Sequence, residues 1–213
     1  MSGRAPRTQQ ARKATTRASL LAAASELFAD KGIDAVSVDA VAAAAGRTSG
    51  AIYAHFASKE GLVLAVLDDL SQSLVTVIAA EFELAAGLEQ RLGSVAANVI
   101  VRPSDATRRL LLLEAELSLL ASRNERVAKA LRRRRRQADA RMTRGLQAWI
   151  AEGILPRRTR AESLATGFRA MVVGLAMAQR LDATLDEAAV TVALASALGL
   201  DLATSTGARS PTL

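Results

Sequence analysis

Apolar residues recur at three- and four-residue steps along nearly the whole 213-residue chain, and no stretch keeps a period-two alternation bounded by turn residues. That pattern predicts amphipathic helices and offers no strand from which to build a sheet. Leu20, Ala24, Leu27 and Phe28 share one face of a first helix that ends near Lys31, with Gly32 as its stop. Ser37 is a suitable N-cap for a second helix, in which Val38, Val41, Ala42 and Ala45 form an i, i+3, i+4, i+7 stripe. Gly46 breaks that stripe. A third helix follows from Thr48 to about Phe56, and Ser58 caps a long fourth with Leu62, Val66, Leu70, Leu74 and Ile78 four residues apart. Further helices are expected over about 88–101, up to 122, and over 124–152, 160–181 and 186–198. Arg102-Pro103 and the segment 153–156 separate them, since the residue before proline leaves the helical region. The expected fold is all-α: an N-terminal three-helix module at 14–60 and a larger helical domain at 61–203. A basic flexible arm at 1–13 and a small, polar, flexible tail at 204–213 flank them.

Composition removes several kinds of chemistry. Half of the residues are apolar, enough for a core, but there is no cysteine and a single histidine. Disulfides, thiolate nucleophiles and multi-histidine or cysteine metal sites are therefore out. Glu114 and Glu116 lie two apart on a helix, so their side chains diverge by about 200° and do not form a catalytic pair. His55 has no local nucleophile or carboxylate partner. No glycine-rich phosphate loop is present. We expect no enzyme, no metal and no cofactor. The formal charge of +7 favours a polyanionic partner. The first 17 residues contribute Arg4, Arg7, Arg12, Lys13 and Arg17 and no acid, although residues 1–58 hold only seven basic against four acidic residues. The apolar start at 20–24 is interrupted by Ser25, Glu26 and Asp30, unlike a secretion signal. The longest weakly polar run, 188–200, is thirteen residues where a bilayer needs about twenty. A soluble, cytoplasmic chain with no membrane association is expected.

The segment 37–59, SVDAVAAAAGRTSGAIYAHFASK, joins two short helices through a glycine turn. This is the plan of a helix-turn-helix, with Ala42, Ala43 and Ala45 small enough for a close crossing. Ile52 and Phe56 would anchor the second helix and leave its N-terminal end outside. The residues Leu27-Phe28, Gly32, Ser37, Ala45-Gly46, Thr48, Gly50-Ala51-Ile52-Tyr53, His55-Phe56 and Ser58-Lys59-Glu60-Gly61-Leu62 resemble, at fixed spacing, the TetR family of bacterial transcriptional repressors. The resemblance covers about residues 14–70. It implies that the N-terminal end of the third helix enters the major groove, with Arg47, Thr48, Ser49 and Ala51 near base edges. Arg47 has the reach for guanine O6 and N7. Tyr53 and His55 are implied at phosphates or sugars and Lys59 at a phosphate, with Ser37 and Gly50 also counted among the DNA-binding residues. Tyr53 has core packing as its alternative.

Beyond residue 70 the resemblance implies a helical ligand-binding and dimerisation domain. Phe82, Leu117, Met142, Trp149, Phe168 and Met171 are candidates for a pocket that takes an apolar or amphipathic effector, with simple core filling as the other reading. Gly167, Ala170, Gly174 and Ala178 on one helix, and Ala189, Ala193 and Ala197 on the next, make small faces. Such faces allow close crossing, either within the chain or, as the family implies, across a homodimer. The arginine run 132–136 spreads over about 400° of helix and so forms no single stripe by itself. It is open to three readings: a solvated surface, a contact for an anionic ligand, or DNA. The expected partners are double-stranded operator DNA, a small effector and a second copy of the chain. The alternative is a nonspecific architectural DNA-binding protein.

Overall fold

The computed structural model describes residues 5–182 and 184–200, with side chains described from residue 9 onward except that of Asp182. Among them it has nine α-helices, one π-helical stretch and no strand. The helices are α1 (Ala5–Lys31), α2 (Val38–Ala44), α3 (Ser49–Phe56), α4 (Lys59–Leu84), α5 (Leu88–Val95), α6 (Asp105–Ala121), α7 (Glu125–Ala151), α8 (Ala161–Asp182) and α9 (Glu187–Ala197). The stretch expected as one helix over 88–101 is instead α5 followed by a π-helical segment, Ala96–Val101. Its wider winding ends where Arg102 N–H donates to the Ala97 carbonyl at 2.8 Å. The arm also differs from expectation. α1 begins at Ala5, so residues 5–13 are helical, because alanine, glutamine and arginine are good helix formers even without a buried face. Residues 1–4 and the tail at 204–213 lie outside the described residues.

The chain divides into two compact units. The first takes the residues up to Ser73 together with Arg108–Leu131, and the second takes Leu74–Thr107 together with the residues from Arg132 onward. The boundary expected at 60/61 falls inside the first of these units. The first three helices do not bury their apolar faces on one another alone. Leu62, Val63, Val66, Leu67 and Leu70 of α4, Leu110, Leu111, Leu113 and Leu117 of α6, and Val127 and Leu131 of α7 are all buried in the first unit. They complete the core begun by Leu20, Ala24 and Phe28 of α1, Val41 and Ala42 of α2, and Ile52 of α3. α4, and not the 188–200 run, is the helix with the length and hydropathy to cross a membrane among the described residues. Its apolar face up to Leu70 is spent in this core instead.

In the second unit, α5 and the π-helical stretch pack on α9, and the π-helical stretch also packs on α8. Leu92, Ala96 and Ile100 are buried there with Val190, Leu194 and Ala195 of α9 and Ala165 and Ala176 of α8. The small residues that α8 buries are thus not the ones singled out from the sequence.

Candidate nucleic-acid interface

The site is built from the turn between α2 and α3. Ser37 caps α2 as expected, its hydroxyl accepting from Ala40 N–H at 3.0 Å. At the other end, Gly46 takes φ +63°. Its N–H donates to Ala43 O at 3.0 Å, and Arg47 N–H donates to Ala42 O at 2.8 Å. These two bonds close a Schellman motif, which needs a left-handed residue just past the cap and so favours glycine. The turn ends with Thr48 in extended conformation at the N-cap of α3. Its side chain makes no capping hydrogen bond and is left exposed.

α3 is held by one face. Ile52 is fully buried and Phe56 nearly so, and burying each contributes about 1.5–3 kcal/mol. Arg17 of α1 stacks its guanidinium 4.7 Å from the Phe56 ring centroid. The half-buried His55 ring lies 5.9 Å from that of Phe56. Arg47, Thr48 and Gly50 at the opposite face and N-terminal end are exposed, and Tyr53 is 54% exposed, so it is not a core residue. Ala51 is half-buried. Ser49 is half-buried as well, and its hydroxyl donates to the Asp39 carboxylate in the first turn of α2. Ser49 thus braces the two helices against each other.

Below α3, Ser58 accepts from Gly61 N–H at 3.1 Å and caps α4. Lys59 reaches back to the Asp34 carbonyl at 3.4 Å, so its ammonium spans the loop before α2. Hydrogen bonds from its own backbone N–H and from Ser58, with Arg126 and Lys59 adding attraction, hold the Glu60 carboxyl below the usual glutamate value.

Four contributors were missed in the sequence. Asp39 braces Ser49, with nothing in the pattern to pair them. Ala57 takes φ +65° where α3 turns into α4. Gly61 is required by close approach: a Cβ there would stand 2.0 Å from the Phe56 carbonyl oxygen. Its place in Ser-Lys-Glu-Gly-Leu was the available signal. Glu116 of α6, dismissed as half of a catalytic pair, accepts from Ile33 N–H at 2.8 Å and so fixes the chain where α1 ends.

Elsewhere the assigned residues divide. Leu117 is fully buried in the first unit, whereas the other five pocket candidates belong to the second, so Leu117 is removed from that set. A leucine on α6 was assigned by type, and its unit was not visible in the pattern. Phe82 and Trp149 do meet, as stacked rings with centroids 6.2 Å apart, and the Arg91 guanidinium lies 5.9–6.0 Å from both. Met142, Phe168 and Met171 are half-buried on α7 and α8. A separate cleft in that unit contains none of the candidates; Glu81, Gln90, Ser94, Asn98 and Glu187 share its wall with Leu84, Ala85, Gly93 and Ala97. On α8 and α9, Gly167, Ala170, Gly174, Ala178, Ala189 and Ala197 are exposed and Ala193 is half-buried. A Cβ added at Gly167 or Gly174 would meet nothing within 4 Å, so this face is not used for packing within the described chain.

A capped helix, a glycine turn and a second helix anchored by one face define a helix-turn-helix module of the DNA-binding kind. Residues 20–66 match the model of bacterial regulatory proteins of the tetR family. The transcriptional repressor KstR2 of Rhodococcus jostii is 40% identical over 81 residues, which cover 36% of this chain and 40% of KstR2. The transcriptional activator FasR of Mycolicibacterium smegmatis is 40% identical over 76 residues, covering 36% of this chain and 35% of FasR. The matched segment thus spans well under half of these relatives. In fold the likeness runs further: a TetR-family transcriptional regulator from Cytophaga hutchinsonii superposes with a TM-score of 0.73 at 17% identity, over 90% of this chain and 97% of that one. Residues 20–66 of the chain thus form a domain of the tetR family.

Proposed function

We propose that the chain is a cytoplasmic, homodimeric transcriptional regulator, a repressor that leaves a near-palindromic DNA operator when a small molecule binds the second unit. The exposed N-terminal end of α3 carries this reading. Arg47, Thr48 and Gly50 are presented to solvent by a helix whose opposite face is fixed through Ile52 and Phe56. Tyr53, His55 and Lys59 flank that end and are suited to phosphates. Ser37 and Ser49 support it, the first as a helix cap and the second through Asp39. The unpacked small-residue face of α8 and α9 supports the homodimer, since two such faces allow close crossing of four helices. The stacked pair Phe82 and Trp149, with Met142, Phe168 and Met171, supports an apolar or amphipathic effector. Any effector releases DNA only by favouring one of two states of the dimer.

Arg47→Ala tests the reading on a set of operator duplexes with every single-base change. It is expected to weaken binding by about 1–3 kcal/mol at one base pair in each half-site and to relax preference there. An unchanged profile removes Arg47, and with it the proposed orientation of α3.

A further inference from the structure

The arginine run on α7 is sorted by the fold in a way that its sequence does not reveal. Arg134 turns inward, where burial and then the nearby Arg141 lower its pKa below the usual arginine value. Arg133 and Arg136 turn outward, and so does Arg144 two turns on. At 100° per residue these three fall within about 80° of arc, in line along the helix. Gln137, Ala140 and Gln147 lie between and beside them, all exposed. Among the described residues none of the three arginines pairs with an acid, and Asp139, the acid nearest to them in sequence, is held by Arg169 Nε at 2.6 Å. The charge is also concentrated there. α7 has nine basic and two acidic residues, a surplus of seven that equals the formal net charge of the whole chain. The remainder, the helix-turn-helix included, is balanced.

A row of unpaired guanidiniums with no acid interleaved attracts a polyanion through release of its counterions. The row has no large apolar residue along it, so nothing is available to enter an acyl layer, as a membrane-surface helix requires. Short polar glutamines instead suit a phosphate backbone. We propose that Arg133, Arg136 and Arg144 of α7 form a second, sequence-indifferent surface for the phosphate backbone of duplex DNA, separate from the base-reading end of α3. This does not depend on α3 being the reading helix.

The test uses the full chain and a random-sequence duplex over a salt series, with the triple variant Arg133→Gln, Arg136→Gln, Arg144→Gln and a charge-conserving triple Arg→Lys variant. All three positions are exposed, and circular dichroism checks that helicity is kept. The Gln variant should lower the slope of log K against log salt by about 2–3, at roughly 0.9 per lost phosphate contact, and the Lys variant should keep most of it. An unchanged slope in the Gln variant overturns the proposal. So does loss of binding to phosphatidylserine vesicles with duplex binding intact, which would assign the row to a membrane. An unaltered base profile in Arg47→Ala would count against the reading of α3 and leave this test untouched.

Discussion

α3 is eight residues long and carries neither lysine nor arginine, whereas α7 carries nine basic residues over 27. Charge alone would point to α7 as the DNA-binding helix. Geometry points to α3, because a helix that reads bases needs an exposed end on a rigid mount more than it needs charge. Ile52 and Phe56 provide that mount, and Gly46 sets the angle at which it is presented. α7 has the opposite endowment: a long row of charge on a helix with no turn to aim it. Affinity for a polyanion and the ability to tell one base sequence from another are different physical properties, and the two proposals place them on different helices.

The contrast can be broken most severely at the mount. Gly61→Ala forces a methyl group against the Phe56 carbonyl oxygen, so α3 and α4 must move apart. We expect a loss of about 1–3 kcal/mol or more in stability, read as a lower Tm, and a larger loss of operator binding than of random-duplex binding. Equal stability of the two proteins would mean that the junction relaxes at no cost.

Gly174→Arg comes next. The side chain has free space within the chain, so the fold should persist, but a charge on the small-residue face of α8 should yield monomers with weakened operator binding. A dimer that survives in sedimentation moves the interface elsewhere. Glu116→Ala should have a smaller effect, about 1–3 kcal/mol from leaving the buried Ile33 N–H without its acceptor. Glu116→Gln keeps an acceptor oxygen and should recover most of that loss in thermal unfolding. If Ala and Gln behave alike, the contact is incidental.

The smallest effect concerns pH. The Glu60 carboxyl is lowered in the folded chain, so its stabilising contribution is present above the ordinary glutamate value of 4.5 and is lost as pH falls through the lower folded value. Glu60→Gln should therefore flatten the acid side of the stability profile below about pH 4.5 while leaving neutral pH little changed. An acid limb that is unaltered would remove Glu60 from the account.

Much of the first unit could be read in advance because its determinants are local. The cap at Ser37, the turn at Gly46 and the spacing of Ile52 and Phe56 all act within a few residues. What could not be read depends on partners distant in sequence. Glu116 meets Ile33 across 83 positions, and α6 and the start of α7, up to Leu131, lend apolar residues to the first unit. The pocket candidates suffered most, since Leu117 and Phe82 look alike as isolated apolar residues and only the fold assigns them to different units. The dimer face could be proposed but not distinguished from intrachain packing, because a stripe of small residues is the same in both cases. Gly167 and Gly174 are exposed in the described chain, which leaves this face open for the proposed dimer.

The central claim is that α3 specifies sequence and α7 does not. Selection of bound duplexes from a random pool, run in parallel with the native chain and with the Arg133, Arg136, Arg144 triple glutamine variant, tests it most directly. The account predicts that both enrich one and the same near-palindromic sequence, with half-site centres one or more helical turns of about 34–36 Å apart. A pool with no enriched sequence, or a variant that enriches a different one, would contradict it.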